Sequence, residues 1–107
     1  MTRISVEEYY DSCIISIEGH TGFAAPGEDI VCAGVSAVCY TLVNALRRAE
    51  AEGCLFIRDE RISDGSVLIE IEPYSFAREK TDTIIDTCMA GFSALEEEFP
   101  DYIEIAS

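Results

Sequence analysis

Basic residues are scarce in this chain, and histidine occurs only once. Its 107 residues contain 7 Lys and Arg against 21 Asp and Glu, which gives a formal charge of −14 at pH 7. Because such a surface repels a phosphate backbone, direct binding of nucleic acid is not expected. An acidic surface favours a basic partner instead, although solubility through self-repulsion explains the charge equally well.

The sequence also lacks the patterns of a metal site or a disulfide framework. It contains five cysteines, Cys13, Cys32, Cys39, Cys54 and Cys88. They form no Cys-x-x-Cys pair, and with a single histidine they make a poor zinc site, so we expect neither a metal nor a cofactor. An odd number of scattered thiols is typical of a reducing compartment. With no secretory leader and no long apolar run in view, we expect a cytoplasmic protein that does not bind membranes.

Length and periodicity predict a single α+β domain that spans residues 1–107. Alternating apolar residues predict strands, and apolar residues at three- and four-residue steps predict helices. The predicted elements are strands near 4–6, 15–17, 54–57, 67–71 and 102–105, and helices over 30–52 and 76–98. Their order, β-β-α-β-β-α-β, favours a single mixed or antiparallel sheet with two amphipathic helices packed on it.

Three glycines and a proline are concentrated in residues 19–28, and this density predicts a loop. Asp29 follows the loop and is the predicted N-cap of the first helix. Cys32 then takes the third helical position. At a helix start, unpartnered amides and the positive end of the helix dipole stabilise a thiolate, which is the nucleophilic form. The same amides could hold the oxyanion that forms when the thiolate attacks a peptide carbonyl.

His20 and Ser36 are the other polar side chains that could act with Cys32. His20 precedes Cys32 by twelve residues, and the glycine-rich loop allows the imidazole to fold back towards the sulfur as a general acid or base. A lone histidine at a strand end is more often an ordinary loop residue, so spacing alone does not assign catalysis. Ser36 lies one turn after Cys32, where its hydroxyl lines the cleft or, equally well, bonds a helix carbonyl. The other four thiols are interpreted as structural.

The run from Gly19 to Ser36 resembles the motif of the ribosomal-processing cysteine protease family called Prp. It reads Gly-His-x-Gly, then Gly-x-Asp-Ile-Val-Cys-Ala-x-Val-Ser. The resemblance implies that His20 and Cys32 form a catalytic dyad. Loop or substrate-binding roles are expected for Gly19, Gly22, Gly27, Asp29 and Ser36. Thr21 and Gly34 depart from the commonest form of the motif, in which alanine stands at both positions, but neither change removes a reacting group.

The resemblance further implies a cysteine endopeptidase that removes the N-terminal extension of large-subunit ribosomal protein L twenty-seven. It also implies a homodimer with a flexible loop between His20 and Cys32. One alternative is a noncatalytic module that captures a peptide or an anion at the loop and helix start. Another is redox sensing by Cys32 and Cys39, which lie about 10 Å apart along a helix and would need unwinding to form a disulfide.

Overall fold

The computed structural model describes residues 1–25 and 27–106, and its strands form one five-stranded sheet. The strands are β1 (Thr2–Glu8), β2 (Cys13–Glu18), β3 (Leu55–Ser63), β4 (Ser66–Pro73) and β5 (Ile103–Ile105). Their order across the sheet is β3-β4-β2-β1-β5. Strand β5 runs parallel to β1, whereas all other neighbours are antiparallel. The predicted mixed sheet is therefore confirmed.

Two long helices connect the strands. Helix α1 (Ile30–Ala51) joins β2 to β3, and helix α2 (Arg78–Glu98) joins β4 to β5 after a single 3₁₀ turn at Ser75–Ala77. Helix α1 ends where Gly53 adopts a left-handed φ of +80°, which glycine accepts without steric cost. The element order is the predicted β-β-α-β-β-α-β.

The helices cover one face of the sheet, and the core lies between the two layers. Central strands contribute the fully buried Ile4, Ile15 and Ile69, while α1 contributes Leu46 and α2 contributes Phe92. This arrangement follows from the sequence periods, because a strand presents alternate residues to one face and a helix presents every third or fourth. The core therefore fixes how α1 sits on the sheet.

Strand β3 is longer than the apolar run 54–57 predicted, and it extends to Ser63. The extension carries charged side chains, which a sheet edge tolerates. A bulge between Ile57 and Asp59 marks where it begins. There Arg58 forms ion pairs with three acidic side chains, those of Asp11, Glu70 and Glu72. Because of this extension, the turn between β3 and β4 reaches the far end of β2.

By length and composition alone, α1 could span a bilayer. It has 22 residues, and an 18-residue window within it has a mean hydropathy of 1.6. The expectation that no apolar segment approaches this length is thus corrected. The core helix of a folded domain meets the same criterion, and the side of α1 that carries Val35, Leu42 and Leu46 is buried in the core.

Candidate active site

Asp29 joins the start of α1 to the glycine-rich loop. Its Oδ1 accepts a hydrogen bond from the amide of Cys32 at 2.8 Å, which confirms the predicted N-cap. Its Oδ2 accepts from Thr21 Oγ1 at 2.5 Å and from the amides of Phe23 and Ala24 at 3.1 and 3.4 Å. Partial desolvation raises the pKa of Asp29, but the hydrogen bonds outweigh it and leave the pKa below its ordinary value.

The loop that Asp29 anchors is also held by packing. The ring of Phe23 lies 5.8 Å from that of Phe99 and 5.3 Å from that of Tyr102, between ring centroids. Gly22 and Gly27 adopt φ values of +75° and +88°, a region that glycine enters readily. The later part of the loop is therefore attached both to the cap of α1 and to the aromatic rings where α2 leads into β5.

Cys32 differs from the other four thiols in its surroundings. It is half-buried, whereas the others are buried. Burial raises the pKa of Cys13 and of Cys39 to about 11, and it raises the pKa of Cys88 as well. Because the thiolate is the nucleophile, those three buried thiols are poorly reactive near neutrality.

A cavity of about 280 Å³ lies between α1 and the hairpin of β3 and β4, and it brings four predicted site residues together. Those residues are Gly19, His20, Cys32 and Ser36. The remaining walls are Thr2, Ile17, Val35, Cys39, Tyr40, Val43, Ile62, Ser63, Asp64, Gly65, Ser66 and Val67. The other predicted residues, Gly22, Gly27 and Asp29, do not line this cavity but belong to the loop and the helix cap. The site thus combines the half-buried thiol of Cys32, the imidazole of His20 and a largely apolar wall that includes the buried Cys39.

His20 follows β2, and the turn between β3 and β4 lies against it. Its Nε2 atom is 3.8 Å from Asp64 Oδ2. The neighbouring Gly19 donates its amide to the carbonyl of Gly65 at 2.7 Å. In the sequence, Ser63-Asp64-Gly65 is typical of a tight turn and indicates nothing more. The position of this turn beside His20 could not be predicted, because it depends on the pairing of β2 with β4, which no local pattern encodes.

The first-turn amides of α1 are less available than the sequence suggested. The amide of Cys32 is committed to Asp29 Oδ1, and the amide of Ala33 donates to the Asp29 carbonyl at 3.0 Å. For the Cys32 amide, the expectation of an uncommitted donor is therefore corrected. An oxyanion can accept a hydrogen bond from the Cys32 amide only if that amide no longer donates to the Asp29 carboxylate.

Comparison with known proteins shows the family. The sequence profile described as Cysteine protease Prp matches residues 1–104. The chain belongs to the Prp family of cysteine proteases. The matched range includes both helices and almost the whole sheet. The resemblance drawn from the motif between Gly19 and Ser36 is therefore confirmed.

Named Prp relatives are similar over most of the chain. The Ribosomal processing cysteine protease Prp of Bacillus subtilis is 31% identical over an alignment of 113 residues that covers 100% of this chain and 97% of the relative. The protein of the same name from Staphylococcus aureus is 28% identical over 91 residues, or 85% of this chain and 82% of the relative. The similarity therefore extends well beyond the motif.

Solved structures show the same fold. The ribosomal processing protease Prp of S. aureus, crystallised with a covalently linked product peptide, superposes with a TM-score of 0.74 at 24% identity, covering 98% of this chain and 97% of that one. SMU.848 from Streptococcus mutans superposes with a TM-score of 0.68 at 24% identity, covering 98% and 91%. These structures support the α+β assignment across nearly the full chain.

Proposed function

We propose that this member of the Prp family is a cysteine endopeptidase in which Cys32 is the nucleophile and His20 is the general acid and base. One observation carries the proposal: the half-buried thiol and the only imidazole of the chain line the same cavity. A thiolate and a histidine that share a cleft are the minimal apparatus for acyl transfer from a peptide.

In the proposed reaction, the Cys32 thiolate attacks the scissile carbonyl and forms a carbon–sulfur bond. The tetrahedral intermediate collapses as His20 protonates the departing amine and the carbon–nitrogen bond breaks. His20 then removes a proton from water, which attacks the thioester and releases the carboxylate product and the Cys32 thiolate. Ser36, one helical turn from Cys32 in the same cavity, is available to hydrogen-bond the peptide.

The proposed substrate is the N-terminal extension of large-subunit ribosomal protein L twenty-seven, and the proposed setting is a cytoplasmic homodimer. Two facts support a ribosomal protein: the relatives are named as ribosomal processing proteases, and a net charge of −14 suits a basic partner. The apolar side chains of Val35, Val43 and Val67 in the cavity wall suit an apolar side chain of the peptide.

The test is cleavage of the extended ribosomal precursor by the wild type, Cys32→Ala and His20→Ala. We expect Cys32→Ala to abolish cleavage because no thioester can form. We expect His20→Ala to lower kcat by roughly 10²–10⁴, which is the usual contribution of general acid–base catalysis. Cys54→Ala is the matched control, since it removes a thiol that does not line the cavity.

Any cleavage by Cys32→Ala, or an unchanged kcat in His20→Ala, contradicts the role given to that residue. Should the wild type bind the precursor and leave it intact, the noncatalytic module becomes the better interpretation. Mass spectrometry of the products separates these outcomes, because it reports the bond that is cut as well as the extent of cleavage.

A further inference from the structure

We infer that Asp64 and Gly65, at the turn between β3 and β4, position the imidazole of His20 for proton transfer. The inference rests on the proposed function and deepens it, since it assigns His20 a support outside the Gly19–Ser36 motif. Neither residue is given a step in bond making or breaking. Both are positioning residues that act through His20.

Gly65 forms the surface on which the imidazole rests. A Cβ atom at Gly65 would lie 2.7 Å from His20 Nε2 and 3.1 Å from both Cδ2 and Cε1. Three ring atoms are therefore in contact with the place that any larger residue would fill. Gly65 also has a φ of +73°, in the left-handed region that favours glycine. The left-handed φ and the contact with the imidazole ring therefore both require glycine at this position.

The turn is fixed relative to β2, the strand that His20 follows. The amide of Gly19 donates to the carbonyl of Gly65 at 2.7 Å, directly before His20 in the chain. Glu18 pairs with Ser66 in the β2–β4 register, and Ser66 Oγ donates to Glu18 Oε1 at 3.0 Å. These hydrogen bonds fix the residues on either side of His20 and Gly65. The turn can therefore restrict the position of the imidazole ring.

Asp64 adds an orienting charge. Its Oδ2 lies 3.8 Å from Nε2, which is beyond a hydrogen bond but within ion-pair range. A carboxylate on this side favours the tautomer with the proton on Nε2, because it attracts that N–H group. Nδ1 is then the nitrogen left to exchange a proton with the thiol of Cys32. The side chains are 97% exposed for Asp64 and 62% for His20, so solvent screens the pair and its effect is small.

Gly65→Ala tests the contact, with Gly53→Ala as its matched control. Both glycines have left-handed φ values, +73° and +80°, so alanine is strained at either position. Only at Gly65 does the new Cβ meet His20, because at Gly53 no atom lies within 4 Å. We expect Gly65→Ala to lower kcat on the precursor peptide by about 10- to 100-fold with little change in KM, as small misplacements of reacting groups do. Gly53→Ala should keep the wild-type kcat while its Tm falls similarly.

Asp64→Asn tests the charge, with Asp86→Asn as the control. Asp86 is an exposed aspartate of α2 that does not line the cavity. Because His20 is the only histidine, nitrogen-15 NMR reads its tautomer without ambiguity. We expect mainly the Nε2–H form in the wild type and in Asp86→Asn, and more Nδ1–H form in Asp64→Asn. The accompanying decrease in kcat should be about two- to fivefold, as for an exposed ion pair, and Asp64→Glu should restore part of it.

The inference is overturned if Gly65→Ala and Gly53→Ala have the same kcat, or if Asp64→Asn leaves the tautomer ratio unchanged. Failure of the dyad has a different signature, namely that Cys32→Ala still cleaves the peptide or that His20→Ala keeps the wild-type kcat. The NMR comparison needs no substrate, so it decides the support of His20 even where the chosen peptide is not cut.

Discussion

At the scale of single residues, the environment of each sulfur separates one cysteine from the rest. Cys13, Cys39 and Cys88 are 2–6% exposed, and burial is the main cause of their raised pKa values. Cys54 is also buried, at 9% exposure. Cys32 alone among the five faces the cavity without being buried. Accessibility therefore favours reaction at Cys32, and the raised pKa values disfavour it at Cys13, Cys39 and Cys88.

This difference predicts that iodoacetamide near pH 7 modifies Cys32 first. A thiol whose pKa rises from 9.0 to about 11, as for Cys13 and Cys39, has roughly 100-fold less thiolate near neutrality, and burial slows it further. Quenched time points digested and analysed by mass spectrometry give the rate for each cysteine. In the urea-unfolded chain the five rates should converge. Equal rates in the folded protein would contradict the assignment of Cys32 as the nucleophile.

Much of the site could be predicted from the local sequence. The contacts that could not be predicted join residues that are distant in the sequence. The N-cap at Asp29 and the position of Cys32 follow from a glycine-rich loop that precedes a helical pattern, because caps are set within a few residues. The contact between His20 and Gly65 depends on which strands become neighbours. Strand order is set by the packing of the whole sheet, so the support for His20 was not predicted.

At the scale of elements, the two oxygens of Asp29 have separable tasks. Oδ1 caps α1 through the Cys32 amide, while Oδ2 holds the loop through Thr21, Phe23 and Ala24. In asparagine one oxygen remains an acceptor, and the other position becomes an NH₂ donor. Asp29→Asn therefore keeps the helix cap and releases the loop, whereas Asp29→Ala loses both.

Hydrogen exchange checks this separation. In Asp29→Asn we expect faster exchange at the amides of Phe23 and Ala24, with the amide of Cys32 still protected. In Asp29→Ala all three should exchange faster, because the cap is lost as well. If Asp29→Asn leaves the loop amides as protected as in the wild type, the aromatic contacts of Phe23 hold the loop without the carboxylate.

Acid should reproduce the loss of the loop anchor in the wild type. The pKa of Asp29 is lowered from 3.8 in the folded protein, so its stabilisation is fully present above that ordinary value. The contribution is lost as the pH falls through the lowered pKa, because protonation removes the charged acceptor. Between neutrality and about pH 5, Asp29 should therefore leave loop protection unchanged.

Sequence periodicity predicted the order and type of the helices and strands better than it predicted where each begins and ends. Helix α1 matches its predicted range to within one residue because Asp29 and Gly53 mark both ends. Strand β3 was predicted too short because its outer half is charged. Residues on an exposed edge obey no apolar alternation, and so the length of the hairpin that reaches His20 could not be read from hydrophobicity.

At the scale of the whole molecule, the dominant property is charge. A net charge of −14 on 107 residues surrounds the site with a negative potential. Such a field raises the local concentration of a basic peptide and increases its association rate, whereas it has little effect on the chemical step. Salt screens the field, since the Debye length falls from about 14 Å near 0.05 M to about 4 Å near 0.5 M.

We therefore expect kcat/KM for a lysine-rich precursor peptide to fall several-fold between about 0.05 and 0.5 M salt, with kcat nearly unchanged. The matched substrate replaces each lysine distant from the cleaved bond with glutamine. It should show a lower kcat/KM at low salt and little salt dependence, because the field has no charge to act on. If both peptides respond to salt alike, screening is acting on the enzyme itself, and the acidic surface serves solubility rather than substrate capture.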